Sequence, residues 1–165
     1  MSILKTKIDY TLFEKYDKEY FIENKIVPIY EDSISLKIAI CSSSNIEKIK
    51  DDFVKIVNFI EEKEHDILFI LANIEKRVIL HKAALKSISS NDDEKFTSYF
   101  LDELILYSIE QRASDIHIEK YQDLCLFKFR VDGRLRIFFS FDEELFRVFS
   151  SFVKLISNLD MTQIR

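Results

Sequence analysis

Asp115, His117 and Glu119 alternate at every second position of one short segment. In an extended chain alternate side chains share a face, so the three groups would stand side by side. A set like this could ligate a metal or pass protons. No second pair of ligating residues is spaced to complete a metal shell. The favoured reading is therefore a polar strand face that positions the following turn or meets a neighbouring subunit. His65 and His81 stand singly at the edges of their elements, and neither is read as a ligand. Cys41 and Cys125 fall in apparent strands beside Ile40 and between Leu124 and Leu126. They read as buried small hydrophobes of a reducing cytoplasm. No Ser/His/Asp or Cys/His grouping has a persuasive spacing. A phosphate-cradling loop of the pattern G-x-x-x-x-G-K-[ST] needs several glycines whose backbone N–H groups converge on the anion. The chain has one, Gly133. This chain alone is thus not a nucleoside triphosphatase, and no catalytic or metal-binding residue is assigned.

The elements that must position these residues are legible as periodicities. Leu12, Phe13, Tyr16, Tyr20 and Phe21 predict one helix over 9–24, ended by Asn24 or Lys25. Residues 25–30, with Pro28 suggesting an edge position or a strand entry, and the alternating run Ile34 to Ile40 predict a hairpin. Ser44 or Asn45 caps a helix over 46–63. Residues 65–72 form an apolar run of strand length. Asn73 caps a helix over 74–88, with Val78, Ile79, Ala83 and Leu85 inward. The polar stretch 87–94 is the linker candidate. Asn91 to Asp93 can start the next helix, over 94–112, with Phe96, Phe100, Leu101, Leu104, Ile105, Ser108 and Ile109 on one side. Three extended segments follow, 115–119, 124–131 and 134–141. Asp132–Gly133 is a two-residue hairpin signal, because glycine accepts positive φ. Asp142 caps a last helix over 143–159.

The fold class expected is α/β (α+β), two small domains, each a short sheet with packed helices. The boundaries are 1–88, a linker at 89–94, and 95–165. With 47% hydrophobic and 32% charged residues, the 165-residue chain can bury a core and solvate its surface. A net charge of −5 disfavours nucleic-acid binding through a broad basic surface. No apolar run reaches the roughly 18–20 residues that span a bilayer, so no direct membrane insertion is expected. Helix 9–24, with its tyrosines, is a possible docking surface. The phenylalanines of the second unit read as core.

The ordered set Ala113-Ser-Asp-Ile-His-Ile-Glu119, then Phe127-Lys-Phe-Arg-Val-Asp-Gly133, then a helix with Val153-Lys154 and Leu159-Asp160 resembles the second N-terminal domain of the secretion-type hexameric ATPases. These drive type II secretion, type IV pilus assembly and DNA uptake in transformation. The resemblance covers about 94–165; over 1–88 it is thinner, carried by Val-Pro-Ile-Tyr and the alternating strand. It implies a docking and regulatory part of a cytoplasmic motor, peripheral at the inner membrane and homohexameric at full length. The first domain would bind the cytoplasmic part of an inner-membrane platform protein. The second would clamp nucleotide held by the protein's own C-terminal ATPase domain, where ATP and Mg belong; this chain would carry no cofactor of its own. In the family an arginine before x-Asp-Gly lies near that nucleotide, and Arg130 holds the position here. A guanidinium is permanently charged and grips phosphate oxygens in a fork. The other reading of Arg130 is an outward strand residue paired with Asp or Glu. Lys128 stands where the family often has arginine; it keeps the charge and loses the fork. The family's S-R-x-K is Ser151-Phe152-Val153-Lys154 here, so that arginine is absent. The family also continues past Arg165 with strands that help complete the second domain, so this chain is expected to hold an incomplete domain and to lack the ATPase domain. A standalone adaptor without the motor is the alternative. Binding of cyclic di-GMP is disfavoured, because 1–88 holds no glycine.

Overall fold

The computed structural model describes residues 2–89 and 93–159. The chain forms two compact units, Met1–Val78 and Ile79–Arg165. Each holds one three-stranded sheet with helices, a mixed α/β architecture. Of the expected linker at 89–94, residues 90–92 lie outside the described residues.

The first unit opens with two short helices, α1 (Leu12–Lys15) and α2 (Lys18–Glu23), in place of one continuous helix over 9–24. The break has a local cause. Tyr16 turns extended, and the Asp17 carboxylate accepts from the Glu19 N–H at 3.0 Å, starting a new helix. Lys25 then closes α2 in the left-handed region, φ 51°. β1 (Val27–Glu31) and β2 (Ser35–Ile40) form the expected hairpin, with Pro28 on an edge strand. Asn45 caps α3 (Ile46–Asp52) by accepting from the Lys48 N–H at 3.1 Å.

The expected helix over 46–63 is corrected here. It stops at Asp52, and Ile56–Glu61 is strand β3, parallel to β2 from Ser35↔Ile56 to Ile40↔Glu61. Two β-branched residues, Ile56 and Val57, lead this segment and fit a pleated surface. Pairing with β2 satisfies its backbone. The expected strand over 65–72 is likewise a helix, α4 (Glu64–Leu71), burying Asp66, Ile67, Ile70 and Leu71. That spacing is one helical face, and Glu64 and Asp66 suit the positive end of the helix dipole. The core gathers Phe21, Ile26, Leu36, Ile38, Ile49, Ile67 and Ile70, all inaccessible.

Helix α5 (Ile74–Ser89) matches the expected helix, but its buried side differs. Val78 and Ala83 are inward, whereas Ile79 and Leu85 are exposed and Leu80 and Ala84 are buried. His81 is not at an element edge. It lies inside α5, buried and stacked on Phe141 at 6.4 Å.

In the second unit α6 (Asp93–Glu110) and α7 (Glu143–Ile156) are joined by a meander of β4 (Asp115–Tyr121), β5 (Leu124–Val131) and β6 (Arg134–Asp142). Pairing is antiparallel in the order β4-β5-β6. Of the expected helix start at Asn91 to Asp93, residues 91 and 92 lie outside the described residues. The buried face of α6 is Thr97, Phe100, Leu104, Tyr107 and Ser108; Ile105 and Ile109, expected inward, are exposed. Phe100 meets Phe127, Phe141 and Phe149 edge-on at 5.4–5.5 Å, geometry that aromatic rings favour. Tyr107 lies against Phe129, Phe138 and Phe139. Asp142 caps α7 through the Glu144 N–H. Asp160, the last residue of the family pattern, lies outside the described residues.

Candidate functional site

Two turns fix the register that builds the site. β4 and β5 are joined through Gln122 and Asp123, because Tyr121 pairs with Leu124. β5 and β6 are joined through Asp132 and Gly133, both with positive φ, 49° and 75°. A two-residue loop with both residues left-handed matches the right-handed twist of the flanking strands. No heavy atom would crowd a Cβ at Gly133, so the demand for glycine there is torsional.

With that register Asp115 lies opposite Arg130 and His117 opposite Lys128. On the far side β6 places Leu135 across from Arg130 and Ile137 across from Lys128. A bulge between Phe127 and Lys128 sets this last register, leaving Phe138 unpaired in the ladder but stacked on Phe129 at 4.4 Å.

The polar face is internally paired. Arg130 Nε donates to both oxygens of Asp115, at 3.0 and 3.3 Å. Arg130 Nη2 lies 3.3 Å from His117 Nε2, which also touches Asp115 Oδ1. Ser114 Oγ donates to Asp115 Oδ2 at 2.7 Å. Lys128 Nζ pairs with Glu119. The Ser114 hydroxyl is the main cause holding the Asp115 carboxyl below its ordinary range; partial burial opposes it, and His117 and Arg130 add to it. Asp115 and His117 therefore contact each other and share Arg130, while Glu119 goes to Lys128. Among the described residues no group of three or more His, Cys, Asp or Glu is placed to hold a metal.

Arg130 remains 37% exposed, with Nε committed to Asp115 and Nη2 beside His117. Lys128 is on the same face but only 20% exposed. Asp115 as the direct partner of Arg130 was the residue that periodicity alone does not single out. The signal was available, since a two-residue loop at Gln122–Asp123 puts Asp115 opposite Arg130.

The cysteines are buried and free. Burial pushes the Cys125 thiol up to about 12. At Cys41 burial also raises the value, but hydrogen bonds with Ser43 and Ser44 outweigh it and leave the thiol below its ordinary value.

The family described as "Type II/IV secretion system protein" matches residues 90–165, the segment that carries this strand face. The similarity to that family lies in the second unit. The secretion-family segment is 34% identical over 74 residues to the type II secretion system protein E of Pectobacterium carotovorum subsp. carotovorum, covering 45% of this chain and 15% of that protein. Similarity also extends over both units. The type IV pilus assembly ATPase PilB of Acinetobacter baylyi is 25% identical over 182 residues, 98% of this chain and 30% of the relative. PilB of Myxococcus xanthus is 24% identical over 169 residues, 90% and 30% respectively. The chain thus spans under a third of the length of these relatives, and the matches support an N-terminal region of such secretion-family ATPases. Among the described residues, no helix is long and apolar enough to cross a membrane.

Proposed function

We propose that this chain is the docking and regulatory front part of a motor ATPase serving secretion, pilus assembly or DNA uptake. The first unit binds the cytoplasmic part of an inner-membrane platform protein. The second closes on nucleotide held by a C-terminal ATPase domain, within a cytoplasmic homohexamer peripheral at the membrane. Arg130 contacts phosphate there, and Lys128 contributes positive charge behind it.

One observation carries this reading: a half-exposed arginine, oriented by a carboxylate through Nε, stands on a strand face of the secretion-family segment. The residues fit contact with a phosphate and do not fit holding the nucleotide. The single glycine forms a hairpin tip, so no loop of converging N–H groups is built from it. Asp115 and Glu119 are engaged by Arg130 and Lys128, so they do not fit a magnesium shell either. ATP and Mg belong to the ATPase domain.

The test is turnover. Arg130→Ala in the full-length protein should lower ATPase activity roughly tenfold or more, as loss of a phosphate-facing arginine does, with the melting temperature nearly unchanged. Unchanged turnover contradicts the contact.

A further inference from the structure

We propose that His117 is a proton-controlled positioning residue for Arg130. With a proton on Nε2, His117 binds Asp115 and leaves the guanidinium free for an oxyanion. Without that proton, it draws Arg130 back onto the strand. The anion part of this rests on the phosphate contact proposed above; the proton control does not.

The argument is one of donors and acceptors. Arg130 can only donate and the Asp115 carboxylate can only accept. His117 Nε2 stands between them, in contact with Asp115 Oδ1 and 3.3 Å from Arg130 Nη2. With a hydrogen on Nε2, the ring serves Asp115 and turns a donor toward the donor Nη2. Without it, the ring accepts from Nη2 and turns a lone pair toward the carboxylate. One nitrogen cannot serve both partners at once. A neutral ring can carry its one hydrogen on either nitrogen, so the proton-linked difference is the charge: imidazolium adds a like charge beside the guanidinium and an opposite charge beside Asp115.

The surroundings leave this competition local. On its own strand His117 faces Asp115 and Glu119; on β5 it faces Lys128 and Arg130. Glu119 and Lys128 pair with each other. Across β5, β6 supplies Leu135 and Ile137 to these rows and no charge. His117 is 41% exposed, so protons exchange with water freely.

The experiment is NMR on this chain, with sulfate as the probe because it stays a dianion across the titration. The Arg130 Nε–H signal and the His117 ring nitrogens are followed against pH, with and without sulfate. The expected result is that the Arg130 signal moves in step with His117, and that sulfate binds roughly two- to fivefold tighter at the acidic end, the scale of an exposed ion pair. His117→Gln should abolish the coupled shift while keeping the fold, and Asp115→Asn should abolish it independently. An Arg130 signal that stays flat while His117 titrates overturns the proposal, as does a coupled shift that persists in His117→Gln. If the coupled shift appears but sulfate leaves Arg130 unmoved, proton control stands and the phosphate contact fails.

Discussion

Glu31 gathers three donors, Lys15 Nζ, Tyr16 Oη and Lys55 Nζ, around a side chain only 7% exposed. Burial alone would raise its carboxyl, but the three partners outweigh burial and hold it at about 2. The folded value lies below the unfolded one, so the protein binds this proton less readily when folded. Stability from Glu31 is therefore complete above the ordinary carboxylate range and drains away as pH falls toward about 2. Thermal melts between about pH 6 and pH 2.5 should show a steep loss in the native chain and a shallower one in Glu31→Gln. Parallel curves would mean that Glu31 does not carry the acid sensitivity. At this scale the sequence points to Arg130 and Lys128 through a resemblance. It does not show that Arg130 is shared between Asp115 and His117, because that depends on register and ring position, which single residues do not encode.

Helix ends show what a chain with one glycine must do. Lys25, Arg112 and Asn158 end α2, α6 and α7 in the left-handed region, at φ 51°, 55° and 53°. In each case the next N–H reaches back five residues along the helix: Ile26 to Phe21, Ala113 to Ser108 and Leu159 to Lys154. Glycine is the usual residue at this position because it has no Cβ to clash. Arg112→Gly should stabilise the protein by about 0.5–1 kcal/mol by relieving left-handed strain, measured as a higher denaturation midpoint at unchanged slope. A lower midpoint would show that the Arg112 side chain contributes more than its backbone costs.

The same scale explains which elements are legible. The hairpin of β1 and β2, the three strands of the second unit and the caps Asn45 and Asp142 follow from alternation and capping chemistry. β3 and α4 exchange their expected types, because short apolar runs fit both periods and the parallel pairing with β2 decides between them. Asp17, a cap in the middle of a helical pattern, is the signal that splits 9–24.

At the scale of the whole molecule, two sheet-and-helix units stand in one chain with a net charge of −5, and the second carries the secretion-family match. The proposed phosphate contact needs an arginine that is oriented but not buried, and the Asp115 pairing supplies the orientation. The most direct measurement is hydrogen exchange in the full-length protein, apo and with a non-hydrolysable ATP analogue. The expected result is slower exchange across the β5–β6 hairpin around Arg130 when the analogue is bound, and loss of that slowing in Arg130→Ala. Equal exchange in both states, with the analogue demonstrably bound, would contradict a nucleotide contact by this domain.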